Sequence, residues 1–133
     1  MKRYLLDTSA LLTLRDEEQG ADKVAALLYQ AEQKEIHGLL CFISLMELFY
    51  RVWKDENEQN GRLAYEQCQS LPLKLIHETK PLLEKAAELK ATHQLSLADA
   101  WIGAVALLEG AILVHKDPEF TSLDCKQLVL PFK

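Results

Sequence analysis

A chain of 133 residues with 49% hydrophobic side chains has the size and apolar content of one folded domain, which excludes wholesale disorder. A net charge of −5, from 20 acids against 15 bases, speaks against a protein whose task is to coat nucleic acid. Cys41, Cys68 and Cys125 are an odd number, far apart and without a CxxC pair, which excludes a disulfide framework or a zinc knuckle and fits a reducing compartment.

In chain order, the first predicted strand covers 3–6. The apolar run Tyr4-Leu5-Leu6 is too short for a signal peptide, and no later stretch reaches the roughly 20 apolar residues of a membrane helix. The expectation is a cytoplasmic protein with no membrane partner. Val24, Leu27, Leu28 and Ala31 then mark one face of a helix, and a second strand is predicted at 39–43. Leu45, Leu48, Phe49, Val52 and Trp53 repeat the helical spacing, Gly61 interrupts it, and a shorter helix carries Leu63, Ala64, Tyr65 and Cys68. The stretch from Lys54 to Arg62 is mixed in charge and reads as a solvated connection.

A third strand is predicted at 73–76, and Thr79-Lys80-Pro81 opens a helix carrying Leu82, Ala86 and Leu89. From Leu97 to Leu108 the chain is apolar almost all round, so that helix is expected to be deeply buried. Strands at 111–114 and 127–130 complete the pattern. Short apolar strands alternating with helices imply an α/β layered fold, a parallel sheet of about five strands flanked by helices, in a single domain spanning 1–133. Ligands of such sheets bind outside the carboxyl ends of the strands, at the switch in strand order.

Acids gather where that rule points. Asp7 follows the first strand, and Glu47 follows the second within Ser44-Leu45-Met46-Glu47. Asp99 lies in Ser96-Leu97-Ala98-Asp99 before the buried helix, and His115-Lys116-Asp117-Pro118-Glu119 follows the fourth strand. Each acid also has a structural reading. Ser44–Glu47 and Ser96–Asp99 fit capping boxes, Asp7 suits an N-cap, and Asp117-Pro118 suits a turn start. Four together on one edge are harder to explain that way, and Asp99 stands in the most apolar helix, where an unpartnered carboxylate is costly. Clustered carboxylates invite a divalent cation, and all-oxygen ligation suits Mg²⁺ or Mn²⁺ acting on a phosphodiester. Setting aside Asp7, Glu47, Asp99, Asp117 and Glu119 leaves 15 acids against 15 bases, so nucleic acid is a permitted substrate.

The segments "LLDTSALL", "SLMEL", "LSLADAWIGAVAL" and "ILVHKDPEF", in this order and spacing, resemble a PIN domain. Length and ending are similar to the VapC-type toxin ribonucleases of toxin–antitoxin pairs. The resemblance implies a three-layer fold and Mg²⁺- or Mn²⁺-dependent endoribonuclease activity on RNA. It makes Asp7 and Asp99 the main metal ligands, Glu47 and Asp117 completing a catalytic quartet, and Thr8 or Ser9 orienting Asp7 or a water. It also implies a homodimer held inactive by a cognate antitoxin. The fourth motif of the family often reads Thr-x-Asp-x-Asp-Phe. Here His115 stands for the hydroxyl and Glu119 for the second, shorter acid, so both are candidate auxiliary residues.

His115 is also a candidate acid/base group, against which stands the reading that it bonds a carboxylate or orders a turn. Two other functions stay open at this level: a metal-independent ribonuclease using His115, and a PIN-like RNA-binding or regulatory module that does not cut.

Overall fold

Leu5 and Leu6 point to opposite faces of a strand, and both are fully buried because that strand lies in the middle of the molecule. It is β1 (Arg3–Leu6). Around it, β2 (His37–Cys41), β3 (Lys74–Ile76), β4 (Ile112–His115) and β5 (Gln127–Val129) form one parallel sheet in the order β3-β2-β1-β4-β5. Leu5 is in register with Leu39 on one side and Leu113 on the other. The molecule is seen as a computed structural model that describes residues 1–132.

The helices are α1 (Thr8–Arg15), α2 (Ala21–Glu32), α3 (Phe42–Asp55), α4 (Glu58–Gln69), α5 (Lys80–Thr92) and α6 (Leu97–Glu109). Leu5, Leu39 and Leu113 face α5 and α6, meeting Leu82, Ala86, Leu89, Ile102 and Val105. Leu6, Leu40 and Val114 face the other way, onto Ala10 and Leu11 of α1, Val24 and Leu28 of α2, and Leu48 and Val52 of α3. Both faces are covered, which is why the strands are continuously apolar rather than alternating. This is the expected three-layer α/β fold. No helix among the described residues is long and apolar enough to cross a membrane.

The boundaries differ from expectation in two informative places. β2 ends at Cys41, and Phe42 and Ile43 open α3 instead of finishing the strand. Gly61 does not separate two helices. The break is at Glu56–Asn57, where the Asn57 side chain caps α4 by accepting the Asn60 N–H at 2.8 Å. Gly61 lies inside α4, where a Cβ would stand 2.7 Å from the Phe49 carbonyl oxygen and 3.0 Å from Trp53 Cβ. It is the contact point at which α4 closes against α3. The connection expected over 54–62 is therefore almost wholly helical.

Candidate active site at the carboxyl edge of the sheet

The order β3-β2-β1-β4-β5 places a switch at β1, because the chain adds β2 on one side of it and β4 on the other. Asp7 ends β1 at that point. Its N–H donates to the Val114 carbonyl at 3.0 Å, which extends the β1–β4 ladder by one rung. It also caps α1: Oδ2 accepts the Ser9 N–H at 3.0 Å and the Ser9 hydroxyl as well. Ser9 Oγ in turn accepts the Lys116 N–H at 2.9 Å, tying the ends of β1 and β4 together. The capping and the site readings of Asp7 are thus compatible, one carboxylate oxygen being used by the cap.

The other oxygen is left over. Asp7 Oδ1 is buried with no hydrogen-bond partner. Burial pushes the Asp7 carboxyl up to about 6, against the two Ser9 hydrogen bonds, and the charges of Glu47 and Asp117 add to the rise.

Glu47 comes from α3. The Thr8 hydroxyl donates to Glu47 Oε1 at 2.8 Å and lies 3.0 Å from the Ser44 hydroxyl. Ser44 is not a capping residue, since α3 starts two residues before it with Cys41 as N-cap. Fully buried, it packs its hydroxyl against Thr8.

Asp99 lies in the first turn of α6, its N–H donating to the capping Ser96 hydroxyl at 3.1 Å. Burial, then hydrogen bonds with Glu119 and Asp117, then the charges of Asp7 and Asp117, push its carboxyl far above the usual carboxylate range. Asp117 caps a short 3-10 helix (Pro118–Ser122) by accepting the Glu119 N–H at 3.0 Å. One carboxylate oxygen each from Asp99, Asp117 and Glu119 lie within 4.8 Å of one another.

Glu119, expected only as an auxiliary residue, therefore stands in a tight acidic group with Asp99 and Asp117, to which Asp7 is coupled through charge, Glu47 in turn acting on Asp7. The sequence signal for this was the departure in the fourth motif: the longer acid reaches Asp99 from a helix turn.

Cys41 ends β2 close enough to feel the charges of Asp7 and Glu47. Burial pushes its thiol up to about 12, so it stays protonated and the charged donor set is all oxygen. His115, fully buried, forms no hydrogen bond through its ring with any carboxylate among the described residues. Its Nδ1 accepts the Asp117 N–H at 3.0 Å and its Nε2 lies 2.8 Å from Gln127 Oε1. Burial lowers its pKa, against the Gln127 hydrogen bond and the Asp117 charge. With both nitrogens engaged and no exposed surface, the ring orders a turn and offers no acid/base face to a polymer. Gln127 was invisible to sequence reasoning, being one polar residue in a short strand.

A layered α/β fold with five acids converging at the switch point of a parallel sheet defines the class. The chain belongs to the PIN domain family, whose model matches residues 4–125. Among solved structures it is similar to a toxin–antitoxin complex from Klebsiella pneumoniae, at 22% identity and TM-score 0.66 over 98% of this chain and 99% of that one. It is similar to VapBC2 from Rickettsia felis bound to a promoter DNA fragment, at 20% identity and TM-score 0.77 over 97% and 99% of the two chains. It is also similar to Mycobacterium tuberculosis VapC20, a sarcin–ricin loop cleaving toxin, at 18% identity and TM-score 0.72 over 96% and 99%. These likenesses show the shared fold. No curated protein matches the chain.

Proposed function

We propose that this chain is a divalent-metal-dependent endoribonuclease, the toxin of a toxin–antitoxin pair, acting in the cytoplasm as a single PIN domain. The observation that carries the reading is the state of the acids. Asp7 Oδ1 is buried without a partner, and the carboxyls of Asp7 and Asp99 are pushed up by burial and by their acidic neighbours. Such a cluster is unfavourable as it stands and becomes favourable around a cation. All-oxygen donors fit Mg²⁺ or Mn²⁺, and the protonated Cys41 adds no soft ligand.

Asp7, Asp99, Asp117 and Glu119 would hold the metal, with Glu47 completing the catalytic acids. Bound there, a divalent cation would polarise a phosphodiester and acidify water for attack on phosphorus. The protein's part is to keep the donors fixed: Ser9 locks one oxygen of Asp7, Thr8 holds Glu47, and Ser96 holds the α6 turn that carries Asp99.

The likeness to VapBC complexes, and to a toxin that cleaves the sarcin–ricin loop, supports RNA as substrate and a cognate antitoxin as partner, and the homodimer implied by the family resemblance is part of the same proposal. The test is cleavage of mixed RNAs with Mg²⁺, Mn²⁺ or EDTA, followed by end-group analysis. Products with 5′-phosphate ends, lost in EDTA and lost in Asp7→Asn and Asp99→Asn, are expected. Cyclic 2′,3′-phosphate ends formed in EDTA would overturn the reading, and Mn²⁺ binding without any cleavage would favour an RNA-binding module instead.

A further inference from the structure

The residue at the start of the fourth motif is a histidine where a hydroxyl is usual in this family, and its surroundings are unusually well determined. Gln127 Nε2 donates to the Phe120 carbonyl at 2.7 Å and to the Leu123 carbonyl at 3.3 Å. Those acceptors fix the amide's orientation, so Gln127 Oε1 faces the His115 ring as an acceptor, 2.8 Å from Nε2. Nε2 must then carry the proton. Nδ1 is left bare, and it accepts the Asp117 N–H at 3.0 Å.

The ring edge rests on Phe120, with centroids 5.0 Å apart. The His115 carbonyl also accepts the Leu130 N–H at 2.7 Å, joining β4 to the segment that follows β5. Each of these hydrogen bonds pairs a donor with an acceptor. The bonds of His115 Nδ1 and of Gln127 Nε2 converge on 117–123, the segment that carries Asp117 and Glu119.

We infer that His115 and Gln127 form a clamp that holds the Asp117–Glu119 segment in the geometry needed to ligate metal beside Asp99. His115 is a positioning residue, since it is fully buried and its ring nitrogens bond the Asp117 backbone N–H and Gln127 rather than a carboxylate. A threonine hydroxyl could receive the Asp117 N–H but could not reach on to a residue in β5. The imidazole spans both, linking the acidic turn to the edge strand. The two departures in the motif then belong together: the clamp sets the turn, and from that turn the longer Glu119 reaches the group formed with Asp99 and Asp117. The clamp rests on the metal-site reading above for its purpose, and on the hydrogen bonds alone for its existence.

Both parts can be measured separately. In metal-free protein, long-range nitrogen–proton NMR spectra should show a neutral His115 protonated at Nε2, with a slowly exchanging Asp117 amide. His115→Ala and Gln127→Ala should speed Asp117 amide exchange and weaken Mn²⁺ binding, read by calorimetry, by about 10-fold or more, as loss of outer-shell partners does elsewhere. His115→Asn keeps an acceptor near the Nδ1 position and should recover Asp117 protection and part of the affinity. Gln127→Ala guards against a His115 variant that simply fails to fold, because Gln127 is only half-buried in an edge strand. A His115 protonated at Nδ1, or variants that leave both Asp117 exchange and Mn²⁺ affinity as in wild type, would overturn the clamp. Wild-type protein that binds no Mn²⁺ while showing the expected tautomer and amide protection would overturn the metal-site reading and, with it, the clamp's assigned purpose.

Discussion

The Thr8 hydroxyl donates to Glu47 Oε1 at 2.8 Å, joining the helix that leaves β1 to the helix that leaves β2. Thr8 is fully buried and Glu47 half-buried, so the donor end of the bond is shielded from water. Thr8→Val conserves shape and removes the donor. It should lower stability by about 1–3 kcal/mol, the usual range for a lost hydrogen bond to a charged group. Chemical denaturation gives the stability, and calorimetry with Mn²⁺ should show weaker binding in the same variant. A Thr8→Val protein as stable as wild type would mean that Glu47 is satisfied elsewhere.

The raised carboxyl of Asp7 makes a prediction with a definite sign. A folded-state value of about 6 against an ordinary 3.8 means that the folded protein holds this proton more tightly than the unfolded chain. The corresponding stability is fully present below pH 3.8 and is lost as pH rises through 6. At about 1.4 kcal/mol per unit, the loss is about 3 kcal/mol in metal-free protein. Asp99, also raised, extends the loss to higher pH. Asp7→Asn keeps the cap and removes the titration. The difference between wild-type and variant stability, followed from pH 4 to 7 in EDTA, should therefore grow with pH in favour of the variant. A pH-independent difference would show that burial does not hold the Asp7 proton.

Glu119 shares a 4.8 Å cluster with Asp99 and Asp117. Glu119→Gln preserves size and removes the charge, and should weaken Mn²⁺ binding at least about as much as loss of an outer-shell partner, some tenfold. Glu119→Asp restores the acid usual in the family at this position but shortens it, so partial recovery is expected. Titration calorimetry on the three proteins decides this. Equal affinities throughout would remove Glu119 from the ligand set.

Gly61 permits the close approach of α4 to α3. A Cβ at 2.7 Å from the Phe49 carbonyl oxygen meets backbone, which cannot swing away as a flexible side chain would. Gly61→Ala should destabilise by about 1–3 kcal/mol, a typical overpacking cost, in spite of alanine's better helix propensity. Thermal melting measures it. A more stable variant would show that α4 shifts freely along α3.

The layered fold was legible because it rests on local composition. A strand buried on both faces must be apolar there, and β1, β2 and β4 announce themselves that way through Leu5-Leu6, Leu39-Leu40 and Leu113-Val114. The helices between them show their buried stripes at the helical spacing. Phe42 and Ile43 were misplaced because an apolar pair between a strand and a helix fits either, and only tertiary packing, where the Phe42 and Trp101 rings of α3 and α6 meet edge to face with centroids 5.1 Å apart, goes with the helical assignment. Gly61 was misplaced for a related reason: a glycine that breaks a helix and one that admits a neighbouring helix are identical in sequence.

For the site, the sequence by itself determined that Asp7 and Asp117 stand at strand ends as caps and Asp99 in a first helical turn, because local chemistry favours a carboxylate there, whereas Glu47 lies beyond the first turn of α3. Tertiary structure alone decided how they group. Strand order puts Asp7 at the switch point between Cys41 and His115, and α6 carries Asp99 to the turn that holds Asp117 and Glu119. The same folding removes His115 from solvent and sets it against Gln127, twelve residues onward in the next strand. Such contacts join residues with no shared local pattern. Each exists because crossover helices bring distant strand ends to one edge, and no period in the chain records which ends will meet.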